Sequence, residues 1–219
     1  MSLTAGAGAL GLLGVNGAGK STLLESVAGL LSPRSGSVLV AGADVYDGRR
    51  RADASRHVAL VPQDFDFPGN FTVLEFLRHM AWMRAVPRGS TAGRVDAAVE
   101  SVGLQQQARQ RLSTLSGGMT RRAAIAQALL ADPAVLLLDE STTGLDPVQR
   151  AEIRLLLRSL ATSRCVVLAS HIVEDIEQLA TRVAVLHRGR VLFDGATADI
   201  AGSSGLESGF ISLIGGDAA

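Results

Sequence analysis

Residues 14–22 read Gly-Val-Asn-Gly-Ala-Gly-Lys-Ser-Thr and match the phosphate-loop pattern G-x-x-x-x-G-K-[ST]. The glycines of such a loop let backbone N–H groups surround an oligophosphate, while the lysine ammonium reaches the β- and γ-phosphates. Lys20 is the only lysine of the chain, and a planar guanidinium does not substitute for a compact ammonium at such a point-charge site. The run therefore predicts that the chain binds a nucleoside triphosphate. The predicted phosphate-binding residues are Gly14, Asn16, Gly17, Ala18, Gly19, Lys20, Ser21 and Thr22.

Short apolar strands alternate with helical segments on both sides of this loop. Ala9–Leu13 predicts a strand that ends at the loop, and Ser21–Leu31 predicts the helix that follows it. The apolar face of this helix is expected to comprise Leu23, Leu24, Val27 and Leu30. Further strands are predicted at Ser37–Ala41, His57–Val61, Val135–Leu138 and Val166–Ala169, and a hairpin at Val183–Leu186 and Arg190–Phe193 with its turn at His187–Gly189. This alternation is typical of an α/β fold, here a P-loop NTPase with a mostly parallel sheet and flanking helices.

Between about Phe71 and Leu112 the pattern changes from strands to helices. Thr72 followed by Glu75 has the spacing of a capping box, which predicts the start of a helix. The segment is therefore expected to form a helical lobe inserted into the sheet domain. Arg49–Arg56 is expected to be an arginine-rich loop. From Ala196 the composition predicts a weakly structured tail with one short apolar stretch, Phe210–Ile214.

Composition narrows the class of protein. A chain of 219 residues fits one large domain, and its balanced charge gives no bulk electrostatic case for nucleic-acid binding. The single cysteine, Cys165, excludes a disulfide within the chain, and its apolar surroundings predict a buried thiol. The apolar runs have the length of strands, and residues 1–4 lack the charged and apolar regions of a signal peptide. A cytoplasmic protein is expected.

A second chemical element lies at Leu136-Leu137-Leu138-Asp139-Glu140. The apolar strand brings Asp139 to its carboxyl end, where ligands bind in open α/β sheets. Asp139 is placed to hold Mg²⁺ together with the Ser21 hydroxyl. Glu140 is placed to orient or deprotonate an attacking water.

Leu115-Ser116-Gly117-Gly118-Met119 is the motif that indicates the family. Ser116 is suited to cap the following helix, whose first N–H groups are open to an anion because of the two glycines. With this motif, the chain resembles the ABC ATPases. The resemblance implies that Ser116, Gly117 and Gly118 of one subunit close over a nucleotide held by the phosphate loop of a second subunit.

Further motifs of that family follow in order from about Leu10 to the tail. Gln63 matches the glutamine that contacts Mg²⁺, and His171 matches the histidine that contacts the γ-phosphate. Gly144, Leu145 and Asp146 match the loop that contacts the opposite subunit. The resemblance thus implies ATP and Mg²⁺ as ligands, Ser21, Gln63 and Asp139 as metal contacts, and Glu140, His171 and Lys20 as catalytic groups.

The resemblance also implies an organisation and partners. Residues 1–219 would form a single ABC ATPase domain, with 1–70 and 120–219 as its RecA-like core and 71–119 as its helical lobe. The partners would be a second ABC ATPase subunit, identical or related, and a separate transmembrane permease, with the chain peripheral on the inner face of the cell membrane. A coupling helix of the permease would contact Asp64–Phe71; alternatively, Phe65, Phe67 and Phe71 pack the junction between the lobes.

The Leu-Ser-Gly-Gly-Met variant, the run Gly144-Leu145-Asp146-Pro147 and the short tail resemble the bacterial drug- and antibiotic-exporting (ABC-2 type) group. Export of drugs, antibiotics or lipids is therefore expected. Two alternatives stay open. A soluble ABC ATPase of DNA repair would need a long coiled coil between phosphate loop and signature, and no heptads occur there, while its translation counterparts carry two cassettes. A binding-only cassette is disfavoured by the complete set of catalytic residues.

Two positions depart from the family pattern. None of residues 1–13 is aromatic, although relatives place an aromatic residue on the adenine in an early loop and carry antiparallel strands before the phosphate-loop strand. These strands are expected to be truncated and to leave an unpaired sheet edge. An internal start within a longer protein is the favoured explanation, and a naturally shortened subunit is the alternative. Loss of a base–aromatic stack of about 1–3 kcal/mol would weaken ATP binding roughly tenfold to a hundredfold. Ser141 stands where many relatives have proline, with no catalytic group removed.

Overall fold

The computed structural model describes residues 1–49, 51–202 and 205–216. The strands within these ranges are β1 Gly8–Leu13, β2 Leu39–Val40, β3 Ala43–Asp44, β4 Val58–Val61, β5 Val135–Asp139, β6 Cys165–Ser170, β7 Arg182–His187 and β8 Arg190–Ala196. The helices are α1 Lys20–Val27, α2 Arg51–Arg56, α3 Val73–Met83, α4 Arg88–Ser101, α5 Gly117–Leu129, α6 Pro147–Ala161, α7 Val173–Leu179, α8 Thr197–Ala201 and α9 Gly205–Gly216. Leu112–Thr114 forms a 3₁₀ turn. In the ranges described, no helix combines the length and apolar character needed to cross a membrane.

Six strands form one sheet in the order β4-β5-β6-β1-β7-β8. All neighbours are parallel except β7 and β8, which form an antiparallel hairpin. The predicted α/β fold with a mostly parallel sheet is confirmed. β1 lies between β6 and β7, so the loop that follows it opens at the carboxyl edge of the sheet, near its middle, where ligands of such folds bind.

Each face of the sheet has its own apolar core, because successive side chains of a strand point to opposite faces. On one face Leu136, Leu138 and Leu168 pack with helices α3 to α7. On the other face Leu12, Leu137 and Val167 pack with Leu24 of α1. Near-continuous apolar runs such as that of β6, which is buried along its whole length, are required by this two-sided burial.

The predicted capping box begins α3. The Thr72 backbone N–H donates to Glu75 Oε2 at 2.8 Å, and the Glu75 N–H donates to Thr72 Oγ1 at 3.2 Å. The Thr72 backbone N–H and, second, the Thr72 hydroxyl, which also donates to Glu75 Oε2 at 2.8 Å, lower the pKa of the Glu75 carboxyl. Phe76 and Leu77 of α3 belong to the same apolar core as the sheet residues, so the helical segment is packed continuously onto the sheet. The division of the domain at residues 71 and 119 stays a prediction.

The helix after the phosphate loop is shorter than predicted. It ends at Val27, because Gly29 adopts a φ of 78°, the left-handed conformation that commonly ends helices. Leu30 therefore does not join the apolar face, and 71% of its surface is exposed.

Of two predictions between residues 37 and 56, one is confirmed in part and one is wrong. The strand predicted at Ser37–Ala41 is shorter, Leu39–Val40, and pairs with Ala43–Asp44 in a separate antiparallel hairpin rather than in the main sheet. Arg51–Arg56 is a helix rather than a loop, with Ala54 fully buried on its inner side. Arginine and alanine are good helix formers, which favours a helix in this segment despite its polar composition. Arg50 lies outside the described residues.

The predicted hairpin is confirmed, whereas the prediction of a weakly structured tail is wrong. Arg188 and Gly189 form the turn with φ values of 48° and 76°, as a tight two-residue hairpin turn requires. The tail forms α8 and α9, and Leu206 of α9 is fully buried. A Cβ on Gly209 would lie 1.9 Å from the Ile200 carbonyl oxygen, so the absence of a side chain at Gly209 permits the close packing of α9 against α8. Residues 203, 204 and 217–219 lie outside the described ranges.

Candidate functional site

The phosphate loop surrounds one side of a cavity of about 420 Å³. Segments far apart in sequence complete its wall with Gln63, Glu140 and His171. The residues of the loop that line it are Asn16, Gly17, Ala18, Gly19, Lys20, Ser21 and Thr22. Gly14 lies behind the wall, where a Cβ would come within 2.6 Å of the Leu186 carbonyl oxygen. The structure thus brings most of the predicted nucleotide contacts to one cavity.

Lys20 is held inside the loop. Its side chain is 6% exposed, and its Nζ donates to the carbonyl oxygens of Gly14 at 2.7 Å and Val15 at 3.4 Å. Gly17 and Gly19 have φ values of 78° and 102°, which glycine adopts without steric cost. The curled backbone therefore aims a fixed ammonium and the start of α1 at the cavity, an arrangement suited to phosphate.

Asp139 ends β5 behind this wall. The residue is 8% exposed, and among the described residues its Oδ1 atom is buried with no hydrogen-bond partner. A buried, unpartnered carboxylate oxygen is costly unless a cation or a cation-bound water satisfies it. The hard oxygen ligands offered by Asp139, the Ser21 hydroxyl and the Gln63 amide fit Mg²⁺.

Glu140 follows Asp139 in an unusual backbone conformation. Its φ is 47°, the left-handed region, which costs a residue other than glycine roughly 1–2 kcal/mol. Its N–H donates to the Ala169 carbonyl oxygen at 3.0 Å, which extends the pairing of β5 with β6 by one residue. Such strained residues cluster at functional sites, where surrounding contacts fix them.

The Glu140 carboxylate is surrounded by donors. Oε2 lies 2.7 Å from His171 Nδ1 and accepts a hydrogen bond from Thr143 Oγ1 at 3.0 Å. Oε1 lies 3.6 Å from Lys20 Nζ. The contact through Nδ1 leaves His171 Nε2 as the ring nitrogen for a ligand, on a side chain that is 44% exposed. The carboxylate is 8% exposed, so it faces the cavity from a partly desolvated position.

The signature residues lie away from this cavity. Ser116 caps α5, where its Oγ accepts a hydrogen bond from the Met119 N–H at 3.3 Å. Gly117 instead lines a second cavity of about 420 Å³ with Gly144 and Leu145. Asp146 caps α6 by accepting from the Gln149 N–H at 2.9 Å. Within one chain, the structure therefore does not bring Ser116, Gly117 and Gly118 to the phosphate loop.

The phenylalanines after Gln63 pack between the sheet core and the lobe. Phe65, Phe67 and Phe71 are half-buried against the main apolar core. The ring centroids of Phe65 and Phe76 are 5.7 Å apart in an edge-to-face arrangement. Of the two interpretations of this segment, the packing one accounts for these contacts.

Sequence reasoning missed two residues at the site. Thr143 donates to the Glu140 carboxylate, and its place in the same turn as Glu140 was the available signal. Arg121 of α5 donates from Nη1 and Nη2 to the carbonyl oxygens of Pro62 and Gln63, each at 3.1 Å. Burial lowers the pKa of the Arg121 guanidinium, with nearby Asp64 acting in the opposite direction. Arg121 ties the signature helix to the segment that carries Gln63.

Known proteins share this sequence and fold. The family model described as "ABC transporter" matches residues 1–143. The methionine import ATP-binding protein MetN 2 of Rhodopseudomonas palustris is 39% identical over 194 residues, which are 87% of this chain and 52% of that protein. The linearmycin resistance ATP-binding protein LnrL of Bacillus subtilis is 35% identical over 87% of this chain and 61% of its own length. The Nod factor export ATP-binding protein I of Rhizobium meliloti is 39% identical over 89% of this chain and 58% of its own.

Solved structures agree. An ATP-binding subunit of an ABC transporter superimposes with a TM-score of 0.80 at 25% identity, covering 96% of this chain and 89% of that one. CbiO1 of Clostridium perfringens, part of the transporter complex CbiONQ, gives a TM-score of 0.80 at 29% identity over 91% of this chain and 81% of its own. The chain spans little more than half the length of the curated relatives described above. These relatives include import and export proteins, so the drug-export group is not singled out. The chain belongs to the ABC transporter family, whose ATP-binding proteins are ATPases.

Proposed function

We propose that this chain binds ATP with Mg²⁺ and hydrolyses it to ADP and phosphate. The observation that carries this proposal is the Glu140 carboxylate, held at the wall of the phosphate-loop cavity by His171, Thr143 and Lys20. A carboxylate in this position can accept a proton from a water molecule that attacks the γ-phosphate. In that role Glu140 would be the general base.

The other residues bind and stabilise. Lys20 Nζ and the N–H groups at the start of α1 would hold the β- and γ-phosphates, and His171 Nε2 would contact the γ-phosphate as negative charge moves toward the leaving ADP. Mg²⁺, held by Ser21, Gln63 and Asp139, would neutralise charge on the phosphate oxygens. Because the Glu140–His171 contact orients both groups before ATP binds, little reorganisation is needed at the moment of reaction.

The test is ATP turnover by the unmodified chain and by Glu140→Gln. The amide cannot accept the proton, so turnover is expected to fall about a hundredfold or more while ATP still binds. Glu100→Gln, an exposed residue of α4, is the matched control and should retain full turnover. Equal and negligible turnover of the unmodified chain and Glu140→Gln would refute hydrolysis and favour a binding-only cassette.

We further propose that two ATPase subunits, identical or related, enclose two ATP molecules. The supporting observation is the exposed start of α5, with Ser116 and Gly117 outside the chain's own phosphate-loop cavity. Light scattering of Glu140→Gln with and without ATP tests this, because the unhydrolysed nucleotide should hold the dimer closed. A monomer under both conditions would contradict the proposal.

We also propose that ATP hydrolysis by this chain drives a separate membrane permease, which exports drugs, antibiotics or lipids. The Leu-Ser-Gly-Gly-Met signature and the likeness to a linearmycin resistance protein and a Nod factor export protein support export. The likeness to a methionine import protein supports the opposite direction. The chain would then be peripheral at the inner face of the membrane. Co-purification from membranes, followed by transport assays in vesicles with the permease that is found, decides both partner and direction.

A further inference from the structure

A buried polar network lies beside the Glu140–His171 contact, and neither group belongs to it. Asp175 of α7 is fully buried, and its Oδ2 accepts a hydrogen bond from Thr142 Oγ1 at 2.5 Å. Its Oδ1 accepts from Arg154 Nη1 of α6 at 2.7 Å. Thr142 is also fully buried, and Arg154 is 9% exposed. The carboxylate thus joins the turn after β5, α6 and α7.

Two members of this network, Thr142 and Asp175, follow closely along the chain after Glu140 and His171. Thr142 lies in the same turn as Glu140, where the Thr143 N–H donates to the Glu140 carbonyl oxygen at 3.2 Å. On the other side, the Asp175 N–H donates to the Ile172 carbonyl oxygen at 3.2 Å, directly after His171. Thr142 and Asp175 therefore lie in the hydrogen-bonded turns that directly follow Glu140 and His171.

Two attachments then flank the Glu140–His171 contact. The first is the backbone bond from the Glu140 N–H to Ala169, which continues the sheet. The second is the Thr142–Asp175 bond, which joins the turn after Glu140 to α7, the helix after His171. The two bonds thus tie together the segments whose Glu140 Oε2 and His171 Nδ1 lie 2.7 Å apart.

The position of α7 depends on the sheet beneath it. A Cβ on Gly11 of β1 would lie 2.3 Å from Ile176 Cγ2, so the absence of a side chain there lets α7 lie directly on the strand that leads to the phosphate loop. Arg154 holds the same helix from the side, through Asp175 and, at 3.8 Å, Glu174. Asp175 is consequently located by three elements of the fold.

We infer that Asp175, anchored by Arg154 and bonded to Thr142, is a positioning residue that holds Glu140 and His171 in their reactive arrangement. Asp175 touches neither ATP nor the attacking water in this role. The inference rests on the proposed hydrolysis of ATP by this chain. It concerns the rate of the chemical step rather than the affinity for nucleotide, because neither Thr142 nor Asp175 lines the phosphate-loop cavity.

The test compares Thr142→Val with Thr142→Ser. Valine has nearly the shape of threonine but lacks its hydroxyl, and it leaves both members of the Arg154–Asp175 pair in place, whereas serine keeps the hydroxyl. For Thr142→Val, kcat should fall about tenfold and KM for ATP should change less than about twofold, since misplaced catalytic groups lower turnover rather than binding. Thr142→Ser should recover most of the turnover.

Thr197→Val is the matched control for loss of a buried threonine hydrogen bond. Thr197 Oγ1 donates to the Ala180 carbonyl oxygen at 2.7 Å, at the start of α8. This variant should lower the melting temperature about as much as Thr142→Val does, yet keep kcat. Equal kcat values for Thr142→Val and Thr197→Val, measured well below both melting temperatures, would overturn the inference, as would equal losses in Thr142→Val and Thr142→Ser.

Arg154→Lys covers the case in which Thr142→Val does not fold. The lysine keeps the charge but not the planar donor group, so Asp175 should shift and kcat should fall with KM nearly unchanged. An unchanged kcat in Arg154→Lys would then overturn the inference. If the unmodified chain itself shows no ATP turnover, it is the proposed function that fails, and the two failures are distinguished by that single rate.

Discussion

The phosphate-loop cavity and the signature end of α5 are built in different ways. In the cavity, Lys20, Glu140 and His171 come from three separate segments, and Lys20 and His171 each contact Glu140. At the signature end, Ser116 bonds within its own helix and Gly117 is exposed. The first region is assembled within one chain, whereas the second lies at the exposed start of a helix. This difference is what supports the proposal that two subunits share the nucleotide site.

Of the substitutions described here, Lys20→Arg in the phosphate-loop cavity should lower ATP turnover most. The guanidinium is larger and flatter than the ammonium, and the loop holds Nζ in a 6% exposed position 2.7 Å from the Gly14 carbonyl oxygen. We expect ATP turnover to fall about a hundredfold or more, as for the loss of other preorganised charge stabilisers. Arg190→Lys, the reverse exchange at an exposed strand end, is the control for handling and folding. Near-normal turnover of Lys20→Arg would contradict the role given to this lysine.

Mixing two inactive variants should sharpen the comparison. Ser116→Arg blocks the signature end of α5, and Lys20→Arg damages the phosphate-loop cavity. Each variant alone should therefore lack turnover. If the phosphate loop of one subunit acts with the signature of the other, a mixed dimer contains one site in which both are intact. Part of the ATP turnover should then return. Thr72→Ala, which removes a helix cap elsewhere, controls for the lost Ser116 cap of about 1 kcal/mol. No recovery in a mixture that forms mixed dimers would indicate that each chain works alone.

Gly11→Ala should disturb the phosphate-loop cavity through the packing of α7 on β1. The added methyl would meet Ile176 Cγ2 at 2.3 Å and push α7 away from β1. We expect a loss of unfolding free energy of about 1–3 kcal/mol, the usual cost of overpacking, together with lower turnover. Gly6→Ala, where a Cβ has no neighbour within 4 Å among the described atoms, should change neither quantity. Denaturant titrations of the two variants supply the comparison.

Glu75→Gln should give the smallest effect, outside both regions. The pKa of Glu75 lies below its ordinary value of 4.5 because Thr72 donates to the carboxylate. A carboxyl whose pKa is depressed by folding stabilises the native state above its unfolded pKa, and this contribution is lost as the pH falls through the folded pKa. The unmodified chain should therefore be more stable than Glu75→Gln at pH 7, with the difference shrinking below about pH 4.5. A difference that stays constant between pH 7 and pH 3 would contradict this assignment.

Sequence reasoning succeeded where local structure is encoded in contiguous residues. The phosphate loop, the strand that ends at Asp139 and the capping box at Thr72 each depend on neighbours along the chain. It failed where tertiary contacts decide. α9 looks like a loose glycine-rich tail until Gly209 is seen to allow its approach to Ile200. The bond between Thr142 and Asp175 depends on where α7 lies on the sheet, which no local pattern specifies.

The central place of β1 has a consequence for how the protein is made. Both neighbours of β1, β6 and β7, come from residues beyond 164, so an N-terminal strand waits for the C-terminal third of the chain. The Gly189 N–H also donates to the Ala18 carbonyl oxygen at 3.0 Å, so the last hairpin completes the phosphate loop itself. Pairings this distant along the chain form slowly, and domains are synthesised from the N-terminus. A nascent chain therefore cannot acquire a finished phosphate loop until synthesis has passed that hairpin.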